Sequence, residues 1–550
     1  MNKHIGLLLA ACVFVIQALL VNGAGLSWDE PASFFVGRAN LKFWQTGNRQ
    51  YVIDLLNKPL FADSPIQYIY GEDIYPPFPF LVSSAVSYLF AETWQLMHVI
   101  DAHHLGEVAI ASVGVWAMFG LMVEAGLSVP ASIAATLAYV LYPSVWGPMR
   151  NDAKDIPLVS MLIVSMYMFL VWLRLWRKKN HARSLLWGIG FAVAYGLAGA
   201  TKPTAAIMVP IVVVWFITSI FRSAVFRKTI RPIVPLFIQI GFFALVGGVV
   251  FLLMWPWLWD NPVGKLTQVY EFFKTVGYAM PTPYFGTMFA AGIDVPKIYP
   301  FGMLAIQTPP EILLLFCLGA IFALYKFIVK GSVMGWFFIV WFALGIGRFF
   351  LPGMIIYAGI RHFIDAIPAF FVLVGIGIDG LGVFANKFGF RKAFVIGVGM
   401  IIMLHQGVIS YQLYPFEMSY FNVFTGGLKG VADRSLFDVG QAAGAKEAME
   451  AIAKDSAGKP VRVYSCALAH IARFYTAPNV TITTEPQGAD YTIIPNSPSW
   501  FGGALNFNKI THNQVYTVKR TGAELFYAFK YNRPNQWGCG YETVTNYEYD

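Results

Sequence analysis

The sequence predicts an all-α polytopic membrane protein of about 11 transmembrane helices, ending in a small C-terminal α/β domain outside the membrane. Three observations carry that expectation. Apolar residues make up 57% of the 550 positions and charged residues 13%, with a mean hydropathy of +0.57; soluble domains carry about 25% charged residues. Apolar stretches of spanning length recur through residues 1–412, and about 20 such residues make a helix that crosses the hydrocarbon. From residue 413 the pattern changes to short alternating runs.

The spans read, in order, 5–28, 108–123, 125–147, 156–173, 184–200, 204–221, 232–254, 303–325, 333–350, 363–385 and 393–412. Some carry polar residues: Glu311, Arg348, Asp365 and Asp379. The first has a weakly basic start and no small-x-small cleavage site, so it reads as an anchor rather than a cleaved signal peptide. The net charge of +9 comes from Lys and Arg concentrated in short loops. That distribution orients a membrane protein and is no nucleic-acid footprint. Basic loops at 174–183, 222–231, 326–330 and 387–392 are expected in the cytoplasm. Eleven spans then put the N-terminus in the cytoplasm, and the loops 29–107 and 255–302 and the tail 413–550 on the other side.

Residues 76–91 are apolar too, but a crossing there inverts the parity of every basic loop. Pro76, Pro77 and Pro79 favour a partly embedded, surface-lying or re-entrant entry, with a twelfth span as the alternative. The polar run after it, with Glu92, His98, Asp101, His103, His104 and Glu107, is then expected to stay on the non-cytoplasmic side. These histidines match no known metal spacing. In the tail, 445–454 reads as a helix and 458–467, 479–485, 489–496 and 514–520 as strands. Cys466 and Cys539 both lie there; an oxidising compartment permits a disulfide, but two cysteines do not establish one. No Walker loop, dinucleotide fingerprint or internal repeat is evident.

Four polar features fall on the non-cytoplasmic side in this scheme. They are Asp29–Glu30 after the first span, Arg150, Asp152, Lys154 and Asp155 in P-M-R-N-D-A-K-D-I-P, Lys202 in T-K-P, and Arg361–His362 in Y-A-G-I-R-H. Charges at helix ends often only mark the interface, and a lysine there can simply snorkel. Acidic residues contribute little to orientation, so Asp29, Glu30, Asp152 and Asp155 ask for another reason. Transfer of a group from an anionic lipid to a hydroxyl supplies one. A carboxylate takes the hydroxyl proton, and cations hold the phosphate left behind, Arg as a planar fork and Lys as a point charge. Asp29 is the candidate base; Arg361, Lys202 and Arg150 are the phosphate-side candidates. The three tryptophans of M-W-P-W-L-W-D-N-P (254–262) suit an interfacial belt or a wall for a lipid-linked donor, and Q-T-P-P-E (307–311) a rigid entry.

L-S-W-D-E-P (26–31) resembles the "DE" motif of the protein O-mannosyltransferase family and its bacterial relatives. I-Y-P-P-F-P-F-L (74–81) resembles their x-P-P-L segment, with Tyr75 where His or Lys is common, and N-D-A-K-D-I-P-L (151–158) their second acidic motif. G-L-A-G-A-T-K-P (196–203), Y-A-G-I-R-H-F (357–363) and Y-P-F-E-M-S-Y-F-N-V-F-T-G-G (414–427) resemble further family features, so the likeness runs from about residue 20 to the C-terminus. The resemblance implies a GT-C fold glycosyltransferase of a bacterial inner membrane. Such an enzyme takes a hexosyl or pentosyl unit from a polyprenyl-phosphate donor at the non-cytoplasmic face, with inversion. It implies Asp29, Glu30 and Asp155 as catalytic carboxylates, Lys202, Arg361 and Arg150 on donor phosphate, and Asp152, His362 and Tyr357 in support. The acceptor is a glycan, lipid or protein hydroxyl, and the cofactor is open, with nothing to indicate a divalent cation. The chain departs from the eukaryotic mannosyltransferases in having no β-trefoil insertion at 255–302, which sets aside a fixed mannose donor or Ser/Thr-protein acceptor. The rival class is a multi-span transporter of a lipid-linked or small anionic substrate, with Asp365 and Asp379 as its relay.

Overall fold

The chain is an integral membrane protein built of helices, with one small sheet region at its C-terminal end. A computed structural model describes residues 2–55, 75–230, 233–465, 468–483, 485–501 and 512–531. Among these, nine helices are long and apolar enough to cross a membrane. Their windows are His4–Gly23, Val99–Glu124, Asp155–Arg177, Pro203–Arg222, Val234–Met254, Pro310–Lys330, Val333–Phe350, Gly359–Phe388 and Arg391–Leu413. The two remaining expected spans are helices as well. His181–Gly199 is one; the stretch 125–147 is the other, reduced to Val129–Val140 because Pro143 starts a separate turn, Pro143–Trp146.

Three boundaries differ from the sequence reading for identifiable reasons. The stretch 303–325 divides at Pro309–Pro310 into Tyr299–Ile306 and Pro310–Lys330, since proline cannot donate into a helix interior. Residues 76–91 form a helix, Phe78–Ser87, that runs on without a break as a π-helical stretch, Tyr88–Thr93; together they fall short of the about 20 residues that cross the hydrocarbon. The span expected from residue 108 begins earlier, at Val99, so the polar residues 99–107 form its first turns, with His103, His104 and Glu107 buried. His98 caps that helix, its Nδ1 accepting from the Ile100 N–H at 3.3 Å.

Val99–Glu124 and Asp155–Arg177 sit at the centre of the bundle, with most of their apolar length covered by other helices. The peripheral helices turn exposed side chains outward, Phe221, Leu245, Ile321 and Leu404 among them, as a lipid-facing surface requires. Close packing also relies on small residues. A Cβ on Gly319 would stand 1.8 Å from the Leu373 carbonyl oxygen, so glycine there lets Pro310–Lys330 approach Ile367–Ala385 backbone to backbone.

Between the first two spans lies Glu30–Thr46, which starts with Pro31 in its first turn and stops at Gly47 with φ of 71°. A hairpin, β1 (Pro281–Tyr284) and β2 (Thr287–Ala290), follows the helix Pro262–Thr275. The C-terminal sheet comprises β3 (Val461–Ser465), β4 (Val480–Thr483), β5 (Tyr491–Pro495), β6 (His512–Arg520) and β7 (Ala523–Tyr531), in the order β4-β3-β5-β7-β6. β3 pairs in parallel with β4 and β5, whereas β7 pairs antiparallel with β5 and β6. Helix Gly444–Asp455 packs on this sheet. Four of the strands were expected; β7, which lies between β5 and β6, was not. Cys466 and Cys539 lie outside the described residues.

The sheet region is fastened to the loop after the first span. Tyr475 Oη accepts from the Leu26 N–H at 2.8 Å, and His470 Nε2 lies 3.2 Å from the Trp28 carbonyl. Arg520 Nε donates to the Tyr414 carbonyl at 2.7 Å.

Candidate active site

Four segments far apart in sequence meet at one end of the bundle, each placed there by local chemistry. Asp29 closes the turn that leads into Glu30–Thr46, and its carbonyl accepts from the Ser33 N–H at 3.2 Å. Asp152 forms a side-chain cap for the next acidic segment, its Oδ1 accepting from the N–H groups of Lys154 at 3.1 Å and Asp155 at 2.7 Å. That cap starts helix Asp155–Arg177 and fixes the Asp155 side chain at its first residue. Lys202 stands in the turn after His181–Gly199, its N–H bonded to the Ala198 carbonyl. Arg361 enters on a sharp bend in which Ala358 and Gly359 both adopt positive φ, 51° and 63°. The left-handed conformation costs a non-glycine residue about 1–2 kcal/mol; here the Gly359 N–H donates to Tyr299 Oη at 3.0 Å and holds the bend.

The guanidinium of Arg361 bridges two carboxylates. Its Nε donates to Asp155 Oδ2 at 2.6 Å and its Nη2 donates to Asp29 Oδ2. Each carboxylate has a second cation: Lys202 Nζ is 2.6 Å from Asp155 Oδ1, and Lys154 Nζ is 3.1 Å from Asp29 Oδ2. Lys154 also stands over the Tyr75 ring at 4.2 Å. Asp29, Asp152 and Asp155 thus balance Lys154, Lys202 and Arg361. The members differ in access: Arg361 is 30% exposed, Lys202 17% and Asp29 16%, while Lys154 (3%) and Asp155 (1%) lie behind them. The open edge of the cluster therefore offers two cations and one carboxylate.

Electrostatics sort the acids. Burial raises the Asp29 carboxyl, but the charges of Lys154 and Arg361 outweigh it and hold the group well below the usual carboxylate range. Asp152 is pushed up to about 6 by burial and by the neighbouring Asp155 charge, against the pull of Arg361. Tyr357, raised by burial, stacks edge-on against His362 with ring centres 4.1 Å apart, beside Arg361.

The structure thus brings together Asp29, Asp152, Asp155, Lys202 and Arg361 of the candidate residues, with Tyr357 and His362 alongside. Two others turn elsewhere. Glu30 faces away from the cluster: one oxygen accepts from the Ser27 N–H and the other lies 2.8 Å from His104 Nε2. Arg150 is fully buried, with Nη2 on Glu417 Oε1 at 2.5 Å and Nη1 on Gln17 Oε1 at 2.9 Å. These partners, not the cluster, occupy its guanidinium. Lys154, which the sequence places among the polar features of the second acidic motif but gives no role, is a member through its contact with Asp29. Asp365 and Asp379, the carboxylates of a transport relay, are each paired. Arg348 Nη2 donates to Asp365 at 2.9 Å, and Arg391 Nη2 and Ser128 Oγ donate to Asp379 at 3.0 and 2.6 Å. Among the described residues no group of three or more His, Cys, Asp or Glu is arranged to hold a metal ion. Of the tryptophans after the Val234–Met254 window, Trp255 and Trp257 are buried and Trp259 is exposed.

No protein-family model matches the chain, and neither does any curated protein. Solved structures with a similar course of the chain include ArnT from Cupriavidus metallidurans bound to undecaprenyl phosphate. That likeness covers 94% of this chain and 97% of that one, at 14% identity and a TM-score of 0.46. The Archaeoglobus fulgidus oligosaccharyltransferase is similar in its apo form, over 96% of this chain and 74% of that one, at 12% identity and a TM-score of 0.45. Its complex with zinc and sulfate is similar over 94% and 72%, at 12% identity and a TM-score of 0.47.

Proposed function

We propose that the chain is a membrane glycosyltransferase of GT-C type. It would move a hexosyl or pentosyl unit from a polyprenyl-phosphate donor to an acceptor hydroxyl at the non-cytoplasmic face of a bacterial inner membrane. In this reading the N-terminus is cytoplasmic and residues 413–550 are a non-cytoplasmic domain. One observation carries it: Arg361 lies between Asp29 and Asp155, with Lys202 beside it, at the accessible edge of a charge-balanced cluster. The segments that meet there are among those that resemble the family's motifs. The ArnT structure is described with undecaprenyl phosphate bound, a ligand of the proposed class.

The reaction follows from the geometry. The donor phosphate takes Arg361 and Lys202, the exposed cations, as its ligands. Asp29 then loses one of the two cations that suppress its basicity and keeps Lys154. The acceptor hydroxyl gives its proton to Asp29 as its oxygen bonds to the anomeric carbon. The bond from that carbon to the phosphate oxygen breaks, and the electron pair leaves with the phosphate, where Arg361 and Lys202 stabilise it. A single displacement of this kind inverts the anomeric centre. Asp155 orients Arg361 and Lys202 from behind.

The test is turnover of radiolabelled polyprenyl-phosphate sugars by the purified protein in nanodiscs, with membrane glycolipid and water as acceptors. Release of carrier phosphate that depends on Asp29 supports the reading. Inert donors together with gradient-driven flux of a small anion in liposomes would replace it with transport.

A further inference from the structure

Arg361 reaches the cluster from a short helical segment, Gly359–Ala366, that leads into Ile367–Ala385. The segment is not regular: Phe363, with φ of −126° and ψ of 26°, breaks it two residues after Arg361. A second arginine grips it across that break. Arg348 belongs to the last turn of the Val333–Phe350 span, and its guanidinium turns onto residues 362–365. Its Nη1 and Nη2 donate to the two oxygens of Asp365, Nη2 at 2.9 Å, and Nη2 also donates to the His362 carbonyl at 2.9 Å. The fork thus ties the main chain before the break to a side chain after it. The same span adds two contacts. Trp341 Nε1 donates to the Asp365 carbonyl at 2.8 Å, and a Cβ on Gly345 would stand 2.8 Å from the Ala366 Cβ. Asp365 is 3% exposed and Arg348 11%. Charges inside spanning segments are expensive, and apolar side chains can often replace a buried ion pair without loss of stability. What an apolar pair cannot supply is a directed, two-pronged hold on a carboxylate and a main-chain carbonyl.

We propose that Arg348 and Asp365 are positioning residues that clamp the main chain carrying Arg361. In the proposed reaction Arg361 exchanges its bond to Asp29 for the donor phosphate. A side chain that changes partners at its tip keeps its aim only if its main chain is held elsewhere, in advance. Here it is held on both sides. Before Arg361, the Gly359 N–H is fixed on Tyr299 Oη; after it, Arg348 and Trp341 fix residues 362 and 365. Asp365 orients the Arg348 fork, and Arg348 acts on Arg361 through the His362 carbonyl. The Arg348–Asp365 pair is neutral in itself, so its effect on a phosphate runs through Arg361. The role in catalysis rests on the glycosyl-transfer reading; the mechanical role does not.

The experiment uses the full-length protein in nanodiscs. One variant joins Arg348→Met to Asp365→Leu, which strands no charge; the other, Arg348→Lys, keeps the ion pair and loses the fork. Amide exchange over residues 359–366 tests the clamp without any substrate. Both variants should speed it about tenfold and leave 444–455 unchanged. Undecaprenyl phosphate should bind about tenfold more weakly to each, while the unfolding midpoint of the paired variant stays near native. In an Arg361→Met background the paired change should weaken binding no further, because the side chain it aims is gone. Unchanged exchange overturns the clamp. So does a binding loss that adds in full to that of Arg361→Met, or a paired variant that unfolds early yet binds the carrier as native protein does. If the paired variant does not fold, Arg348→Lys decides by the same readouts, alone and with Arg361→Met. Native protein that neither binds the carrier nor turns over lipid-linked sugar sinks the transferase reading, and the exchange arm still decides the clamp.

Discussion

Replacing Arg361 by methionine removes the guanidinium and keeps most of its volume. The fold should survive, because neither carboxylate is orphaned: Asp29 keeps Lys154 at 3.1 Å and Asp155 keeps Lys202 at 2.6 Å. What changes is the charge the site shows to an anion. The native cluster sums to zero, and the variant carries one net negative charge. A phosphate arriving about 7 Å from that charge, at an effective dielectric of about 20, meets roughly 2 kcal/mol of added repulsion. That corresponds to about 30-fold weaker binding. The lost fork adds to this wherever the phosphate used both prongs. Arg361→Lys restores the charge but not the two-pronged contact, so its affinity should fall between native and methionine. The assay is binding of undecaprenyl phosphate to each protein in nanodiscs, read beside thermal unfolding. A methionine variant that binds the carrier as tightly as native protein, with its unfolding unchanged, would refute the phosphate role and reduce Arg361 to an internal clamp.

Asp29→Asn should keep carrier binding and lose roughly 10²-fold or more in single-turnover transfer, since the acceptor proton has no destination; near-native transfer removes Asp29 from the base role. Glu417→Ala strands the buried Arg150 guanidinium and should cost about 3–5 kcal/mol. A joint Arg150→Met, Glu417→Leu change should cost less, and equal losses in thermal unfolding would contradict the pairing. Asp152 has its pKa raised from 3.8 to about 6, so the folded protein binds more protons than the unfolded chain between those values. Its contribution to stability is present below 3.8 and is lost as pH rises through about 6. Asp152→Asn should remove that slope from the unfolding midpoint measured over pH 4–7, and parallel curves for the two proteins would rule it out. Cysteines placed at 265–300 should react with impermeant reagents on intact cells, and those at 174–183 only after the membrane is breached; the reverse pattern inverts the proposed reaction side.

Hydropathy made the spans legible because lipid leaves the backbone one solution, an apolar helix of fixed length. Each of the eleven expected spans holds a helix, and ends shifted where proline interrupted an apolar run or where polar residues extended one. Val99–Glu124 begins nine residues before its apolar run because His103, His104 and Glu107 are covered by other parts of the protein rather than left in water. No local signal in the sequence announces that Glu30 will meet His104. The same limit explains Arg150. Its motif neighbours join the cluster, but Glu417, 267 residues away, takes its guanidinium. Lys154 was hidden for the opposite reason: a lysine among acids reads as a neutralising neighbour, and only the fold shows that it touches Asp29. Strand β7, A-E-L-F-Y-A-F-K-Y, has nearly continuous apolar character, which does not separate a buried strand from other buried segments.

The grip of residues 470–475 on the loop at 26–28 has a consequence in time. Those contacts join positions 442 and 449 residues apart. At about 5–20 residues per second, a ribosome makes the second partner roughly 20–90 s after the first. Through that interval the Asp29 turn exists without its outer support, while most of the bundle is already in place. A chain halted before residue 470 would carry every charged member of the cluster and still lack the contact that seats its first carboxylate. Maturation of the site is thereby tied to completion of the chain, and a fragment cut short in the tail should be abundant in the membrane before it is competent.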